Sequence, residues 1–403
     1  MSNLITLGMS LFAPAVLLAA QPGAQANPPG DDVQVMVRGN NAFACDLYAQ
    51  LKSADGNLFF SPFSISTALA MTYGGARGQT EAQMAEVLHF DLPQDRLHPA
   101  FANLARLWSA AGDDRPYQLD VANALWLQQG LTLLDTFIEL TKTHYGAGLR
   151  QVDFVNATEQ ARQTINTWVE QQTQGKIKDL LKPGVVDPAT ALVLTNAIYF
   201  KGTWQLQFDQ KSTTDAPFNI APDRQIQVPM MHQKGEFAIG GGDGVRLLEM
   251  PYAGGDLSMV VLLPADPDGL PQLEQSLTAD NLARWFGTLH EGEVAVYIPR
   301  FKMTSEFDLA RTLQSMGMIE AFRRQADFSG MTGDKSLFIS AVIHKAYVGV
   351  DEQGTEAAAA TGVLMKRTSL PPTFRADHPF VLVIRHKPTD SILFVGRVMN
   401  PQE

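Results

Sequence analysis

The spacing of apolar residues predicts helices through most of the first half of this 403-residue chain. Apolar side chains that recur every three or four residues lie on one face of a helix. Thr80, with Gln83 three residues later, has the residue types of a capping box and predicts a helix start. Two apolar runs have the length of strands, and the second predicts a strand buried on both faces. The helices are predicted over 32–52, 64–73, 80–88 and 158–173, and the strands over 119–127 and 191–200.

Strands dominate the prediction for the second half of the chain. Glycine and proline clusters separate the apolar runs, and the glycine-rich residues 240–244 predict a hairpin turn. One helix is predicted over 307–316. Helices and strands that are segregated in this way indicate an α+β fold. The strands are predicted over 225–231, 235–239, 245–252, 258–263, 293–302, 336–350, 380–386 and 392–398.

Residues 351–370, DEQGTEAAAATGVLMKRTSL, have the pattern of a strand although no turn is suited to hold one there. Glu356 and Lys366 lie on one period-two face, and no proline interrupts the segment. The four alanines are equally good helix formers, and Ala/Thr-rich stretches often serve as linkers. The pattern alone therefore leaves strand, helix and linker open. The opposite, uncharged face consists of Thr355, Ala357, Ala359, Thr361, Val363 and Met365.

Composition indicates one exported domain. A hydrophobic content of 45% allows a large core, and no internal repeat or linker marks a boundary, so one domain is predicted over 33–403. Residues 1–26 carry no charge and end in Ala-Gln-Ala, which indicates a signal peptide and a secreted protein, extracellular or periplasmic. A membrane anchor or a disordered tail is the alternative for this segment. Pro14, however, interrupts its apolar run, which is short for a membrane span.

Charge and cysteine content exclude some partners. The net charge of −11 argues against nucleic acid and anionic membranes. The single cysteine, Cys45, has no intrachain partner for a disulfide and lies beside the apolar face of the first predicted helix. A structural role is expected for it, with intermolecular pairing as the alternative.

The sequence contains no recognisable catalytic constellation. G-x-S-x-G, H-E-x-x-H, G-x-x-x-x-G-K-[ST] and C-x-x-C are all missing from the chain. No cofactor or metal site is predicted, and most of the eight histidines have no acidic or thiol neighbour at ligand spacing. His344 differs, because it lies on the face of a predicted strand that should be buried, where an imidazole needs hydrogen-bond partners.

Several motifs resemble those of the serpins, the serine protease inhibitor family. The resemblance lies in residues 57–66 (NLFFSPFSIS), 196–204 (NAIYFKGTW) and 352–361 (EQGTEAAAAT), and in 378–380 (HPF) with 394–398 (FVGRV). It extends over about residues 33–401 in the order and spacing of the family. The resemblance implies the serpin fold, a metastable α+β fold with three β-sheets, eight or nine helices and an exposed reactive-centre loop at about 352–374.

The resemblance also implies two groups of functional residues. One is a polar cluster where the central sheet opens, formed by Ser61, Ser64, Asn196 and His344, with Trp204 at the top of the sheet. Ordinary core packing is the alternative for His344 and Trp204. The other group is the hinge of the loop, formed by Glu352, Gly354, Thr355, Glu356, Ala357, Ala358, Ala359 and Ala360, which fits the inhibitory pattern of the family.

These features predict an irreversible suicide-substrate inhibitor of serine-type endopeptidases. A protease would attack the loop and be trapped as an acyl-enzyme when the cleaved segment inserts into the central sheet. Family spacing places the scissile bond at Thr368–Ser369, which suits elastase-like or subtilisin-like enzymes. Because Lys366 and Arg367 are basic, cleavage after Arg367 by a trypsin-like protease is an alternative to cleavage at Thr368–Ser369. Leu364 or Met365 would allow cleavage by a chymotrypsin-like protease.

The remaining expectations concern partners. The expected partner is a serine-type protease in a covalent complex with a monomeric inhibitor. Residues 91–117, where some serpins carry a basic helix, mix arginines with aspartates, so no heparin-like activator is expected. The alternative function is that of a non-inhibitory serpin, a carrier or chaperone, which would share every motif outside the hinge.

Overall fold

The computed structural model describes residues 30–109, 117–146, 148–355 and 371–403. Within these ranges the chain forms ten α-helices, the last of which is a single turn. They are α1 (Asp31–Leu51), α2 (Pro62–Tyr73), α3 (Gly78–Leu88), α4 (Gln94–Ser109), α5 (Asp135–Tyr145), α6 (Thr158–Gln172), α7 (Leu270–Gln275), α8 (Ala279–Phe286), α9 (Ala310–Ser315) and α10 (Ser329–Thr332).

The same ranges contain fifteen strands, which with the helices confirm the α+β prediction. They are β1 (Leu58–Phe60), β2 (Tyr117–Gln128), β3 (Leu149–Val152), β4 (Leu192–Thr203), β5 (Thr214–Ala221), β6 (Arg224–Gly242), β7 (Val245–Pro251), β8 (Leu257–Pro264), β9 (His290–Pro299), β10 (Phe301–Asp308), β11 (Ile339–Val350), β12 (Gly354–Thr355), β13 (Thr373–Arg375), β14 (Phe380–His386) and β15 (Ser391–Val398).

The central sheet has the strand order β10-β11-β4-β2-β3. β11 and β4 run parallel and pair from Ile339 with Leu192 to Tyr347 with Tyr199. The short strand β12 pairs with the end of β4, beyond the last of these pairs. The gap between β11 and β4 is therefore closed along most of its length and occupied by β12 at one end.

The other strands form one hydrogen-bonded sheet in which β6 joins two groups. Residues 238–242 of β6 pair with β7, and residues 230–239 pair with β9. Because β6 is 19 residues long, it belongs to both groups. These two groups correspond to two of the three expected sheets, and the central sheet is the third.

The two faces of the central sheet pack against different layers. Leu194 and Ile198 of β4 lie in the main core, which also contains residues of α1, α2 and the large sheet. Val193 and Ala197 of β4 point the other way, because successive residues of a strand face opposite sides. They pack with Ile165 of α6, so α6 covers this second face.

Several local predictions require correction. Thr80 is not the cap of α3, because the helix begins two residues earlier and Arg77 is the residue that precedes it. The Thr80 hydroxyl instead accepts a hydrogen bond from the Asp327 amide at 2.9 Å. The Gln83 side chain accepts from the Ile319 amide at 2.9 Å, so tertiary contacts use both residues. Apolar spacing also did not predict α4 or α5.

Some predictions lie outside the described residues. These are the signal peptide at 1–26, the hinge residues Glu356, Ala357, Ala358, Ala359 and Ala360, and the reactive-bond residues Lys366, Arg367, Thr368 and Ser369. Among the described helices, none has the length and apolar character needed to cross a membrane.

Candidate functional site: the central gap and the base of the loop

A row of polar residues crosses the central sheet at mid-height. Asn123 of β2 is the register partner of Asn196 of β4, and Asn196 is the partner of His344 of β11. Beyond His344 the next strand places an apolar residue, Phe307 of β10, whose ring stacks with the His344 ring at a centroid distance of 6.3 Å. All four residues lie on the face of the sheet that meets the main core.

Hydrogen bonds tie this row to the start of α2. The Ser61 amide donates to His344 Nε2 at 3.2 Å, and the Asn196 amide group donates to Ser64 Oγ at 2.6 Å. Ser64 Oγ in turn donates to Asn123 Oδ1 at 3.1 Å. Asn196 also bonds directly to both His344 and Asn123. One network therefore connects β11, β4, β2 and α2, and we call Ser61, Ser64, Asn123, Asn196 and His344 the gap cluster.

The gap cluster holds His344 in one neutral tautomer. Its Nε2 accepts from the Ser61 amide, so in the neutral ring Nδ1 carries the proton and donates to Asn196 Oδ1. Burial lowers the pKa of His344 to about 3, with the contact to Asn196 acting in the opposite direction. The imidazole is thus uncharged at neutral pH. The hydrogen bonds across the gap join neutral groups, and hydrogen bonds to other partners can replace them at little net cost.

The base of the loop begins a new strand beside β4. Gly354 pairs with Thr203 and Thr355 pairs with Gly202, both antiparallel. Gly354 has a φ of +143°, and a Cβ there would collide with the carbonyl oxygen of Gly202. Glycine is therefore required at 354 both for its backbone conformation and for its close approach to β4.

A second set of contacts fixes the residues just before β12. Glu352 is buried, and its carboxylate accepts hydrogen bonds from Thr213 Oγ1 at 2.6 Å and from the Arg300 guanidinium. Burial acts to raise the pKa of Glu352, but the hydrogen bonds from Arg300 and Thr213 outweigh it, and the pKa is lowered. The carboxylate is therefore charged, and it ties Glu352 to Arg300, between β9 and β10, and to Thr213, just before β5.

Trp204 lies at the same end of the gap, immediately after β4. Its Nε1 donates to the Asp351 carbonyl at 3.0 Å, and its backbone amide donates to the Gln353 carbonyl at 2.9 Å. The indole stacks on the Tyr252 ring at 4.5 Å. Trp204 thus contacts the turn that leads into β12.

The structure brings the predicted residues together in two places along one gap. Ser61, Ser64, Asn196 and His344 meet at mid-height, whereas Trp204 lies with Glu352, Gly354 and Thr355 at the end. Thr203 is seven residues from Asn196, which corresponds to about 23 Å along a strand. Sequence reasoning missed Asn123, Arg300, Thr213 and Tyr252. Asn123 alone gave a signal, as an amide in an otherwise apolar strand face.

Among the described residues no group of three or more histidine, cysteine or acidic side chains is placed to hold a metal ion. Cys45 is buried, and burial raises the pKa of its thiol to about 12, so the thiolate is disfavoured. This environment agrees with a structural role for Cys45.

Comparison with known proteins places this geometry in one family. A family profile described as "Serpin (serine protease inhibitor)" matches residues 38–401. The leukocyte elastase inhibitor of Bos taurus is 47% identical over 374 residues, which cover 90% of this chain and 98% of that protein.

Solved structures agree with the sequence match. Uncleaved ovalbumin superposes with a TM-score of 0.83 at 33% identity and covers 91% of this chain and all of its own. Human thyroxine-binding globulin, solved in complex with thyroxine, gives a TM-score of 0.84 at 34% identity and covers 92% of this chain and all of its own. The serpin fold is therefore confirmed, and the chain belongs to the serpin family of serine protease inhibitors.

Proposed function

We propose that this protein is a suicide-substrate inhibitor that traps a serine endopeptidase by inserting its cleaved loop between β4 and β11. The observation that carries the proposal is the antiparallel pairing of Gly354 and Thr355 with the end of β4. A segment that follows β11 and enters beside it has to run antiparallel to both β11 and β4. The described pair thus has the orientation of the first step of such an insertion.

The register of this pair predicts which side chains would be buried. Extended along β4, it would place Ala357 opposite Phe200, Ala359 opposite Ile198 and Val363 opposite Leu194. Residues opposite each other in an antiparallel pair share a face. The small and apolar face of the loop would therefore enter the main core, whereas Glu356 would lie opposite Lys201 on the α6 side.

The same register gives the gap cluster a role in insertion. Thr361 would lie opposite Asn196, in the row where Asn196 now bonds to His344. Separating β11 from β4 breaks that bond, and a threonine hydroxyl at this point can donate to one partner and accept from the other. The polar groups uncovered by insertion would then regain partners, as buried polar groups require.

The length of β4 limits how far the loop would insert. β4 has 12 residues, which in this register would match residues 354–365. An inserted strand of that length extends about 40 Å. Lys366, Arg367 and Thr368 would then lie just past the far end of β4, and a protease attached there would be carried across the sheet.

The chemical step itself belongs to the protease. Its serine oxygen bonds to the carbonyl carbon of the loop residue, the C–N bond to the next residue breaks, and the released amine takes a proton from the protease histidine. The new ester joins the enzyme to the loop. Insertion would then move the acyl-enzyme before water hydrolyses the ester.

For the reactive bond we propose Thr368–Ser369, with Arg367–Thr368 as the competitor. The similarity to a protein named leukocyte elastase inhibitor favours the first bond, because elastase-like S1 pockets accept small residues. A carrier role is the second candidate, since a structural neighbour is named for binding thyroxine. The small hinge residues and the start of insertion at β12 favour inhibition.

We further propose that the protein is secreted as a monomer and acts without a heparin-like activator. Support for secretion comes from the uncharged apolar segment and the Ala-Gln-Ala sequence that ends at Ala26. In α4 the Arg96 guanidinium is paired with Asp32, and the Arg106 guanidinium donates to the Asn103 side chain. Because both guanidinium groups already have partners, a strong site for a sulfated polysaccharide is not expected there.

The test is to mix the protein separately with elastase, subtilisin and trypsin and to look for an SDS-stable complex on a gel. A complex with elastase, whose released peptide begins at Ser369, is the expected result. In the Arg367→Ala variant the elastase complex should persist, while any trypsin complex should be lost. Complete cleavage of the loop with no complex for any of the three enzymes would contradict the proposed function.

A further inference from the structure

A cleft separates α6 from the edge of the central sheet, on the face opposite the gap cluster. It has a volume of about 680 Å³, within the range typical of small-molecule sites. Its floor and one wall come from Trp126 of β2 and from Arg150, Gln151 and Val152 of β3. The proposed inhibition does not use this cleft.

The opposite wall is a neutral polar stripe of α6. Gln160, Thr164, Thr167 and Gln171 recur at helical spacing and all line the cleft. The ionised residues of α6 are paired elsewhere: Arg162 with Glu159, and Glu170 with Lys178. The solvent-facing side of a helix usually carries charged residues of both signs. The four side chains on this side of α6 are amides and hydroxyls, so they offer hydrogen-bonding groups without a charge.

Arg150 is the one ionised side chain among the residues that line the cleft. Its guanidinium lies 4.7 Å from the centroid of the Trp168 ring and 5.7 Å from that of Trp126. Arg150 is exposed, and no hydrogen bond or ion pair of its side chain to the described residues is found. The two indoles thus hold the Arg150 guanidinium in place, and its N–H donors have no partner in the described part of the chain.

The two tryptophans add a second unused donor. Trp126 and Trp168 meet edge to face at 5.4 Å, and the Trp126 N–H donates to Thr195 at 2.9 Å. The Trp168 N–H, in contrast, is buried and has no acceptor among the described residues. A buried donor without a partner is uncommon in a native protein.

From these contacts we infer that the cleft between α6 and β3 binds a small organic anion with an aromatic or ring-shaped body. A carboxylate or sulfonate would accept from the Arg150 guanidinium, which is suited to planar anionic groups. The ring would lie against the indoles, and the amides and hydroxyls of α6 would orient its polar substituents. No carboxylate lines the cleft to oppose the anion.

The test uses a matched pair of fluorescent probes. 8-Anilinonaphthalene-1-sulfonate carries the anionic group, whereas N-phenyl-1-naphthylamine has the same rings without it. We expect saturable binding of the sulfonate, about tenfold weaker binding of the neutral probe, and about tenfold weaker sulfonate binding to Arg150→Gln. The Arg311→Gln variant removes an equal charge from the exposed surface of α9 and should bind the sulfonate as the unmodified protein does.

Sulfonate binding that is equal in Arg150→Gln and the unmodified protein would overturn the inference, as would equal affinity for the two probes. Quenching of tryptophan fluorescence by the bound sulfonate gives a second readout. It should be reduced in Trp168→Phe, because the indole nearest the guanidinium is then absent. Unreduced quenching in that variant would also count against the site.

Discussion

At the scale of single residues, His344 is the side chain whose protonation should affect the stability of the fold most. It is the buried imidazole through which β11 contacts both α2 and β4. Its pKa, lowered to about 3 by burial, lies well below the ordinary value of 6.5. Between these two values the unfolded chain binds a proton that the folded chain excludes, so stability is lost as the pH falls.

The first prediction concerns this pH dependence. The pKa difference corresponds to about 2 kcal/mol of stability lost between pH 7.5 and pH 5. In His344→Gln, whose side chain can still accept from Ser61 and donate to Asn196, the thermal midpoint should fall less over this interval. His98 and His386, whose burial lowers their pKa to about 4, should account for a remaining decrease.

Thermal unfolding at one scan rate, measured at both pH values, checks this expectation. The exposed His290 provides the matched control, and His290→Gln should behave as the unmodified protein does. An equal decrease in His344→Gln and the unmodified protein would show that the gap cluster tolerates a protonated imidazole.

At the scale of elements, insertion of the loop would require β4 and β11, which are paired, to separate. β11 and β4 are joined by eight register pairs, and an irregularity between Ile339 and Ala341 leaves Ser340 without a partner in the register. In the proposed mechanism, entry of the loop would replace this ladder with two new ladders and so increase the number of backbone hydrogen bonds. The side chains that enter first would then determine whether insertion is faster than hydrolysis of the ester.

The second prediction contrasts the two faces of the entering strand. In Ala357→Arg, the new charge would face Phe200 in the main core, where an unpaired charge is costly. This variant should be cleaved by the target protease without forming the covalent complex. Glu356→Arg places the same side chain on the α6 side and should retain most of the complex.

The number of inhibitor molecules cleaved per enzyme trapped measures this contrast. It should rise at least tenfold for Ala357→Arg and less than about twofold for Glu356→Arg, since only the first variant buries a charge. Equal stoichiometry for the two variants would mean that the register seen at Gly354 and Thr355 does not continue.

At the scale of the whole molecule, the central sheet can accept a further strand between β4 and β11 only if these two strands separate. Residues 192–199 of β4 pair directly with β11, and β12 pairs with Gly202 and Thr203 beyond them. A complete strand would add backbone hydrogen bonds that contribute about 0.5–1.5 kcal/mol each, along with buried apolar surface. The intact chain is therefore expected to be less stable than the chain after loop cleavage.

The third prediction follows from this difference. After cleavage of the loop by a protease that is not trapped, the thermal midpoint should rise by about 15 °C or more. Differential scanning calorimetry of the intact and cleaved chains measures the change. Cleaved Ala357→Arg should show a smaller rise, because the charge opposes insertion. An unchanged thermal midpoint in the cleaved unmodified protein would show that cleavage does not stabilise the fold, and would contradict the proposed mechanism.

Prediction of the elements succeeded where one periodicity dominated. The boundaries of α1 and α6 lie within about one residue of the predicted helices, and β4 contains nine of the ten residues of the predicted buried strand. The prediction failed where polar side chains make tertiary hydrogen bonds and do not cap a helix. Thr80 and Gln83 look like caps, yet they hold the chain near Asp327 and Ile319. α4 escaped prediction because Pro99 interrupts its pattern.

By itself, the sequence determined the α+β class and the family, because periodicity and short motifs are local properties. The hinge stays a prediction, since residues 356–360 lie outside the described part of the chain. The gap cluster was predicted in part through resemblance. Only the tertiary structure decided that Asn123 joins it, that Arg300 and Thr213 hold Glu352, and that β12 is already paired with β4. Strand register and side-chain partners depend on residues tens to hundreds of positions apart, and packing of the whole chain brings them together.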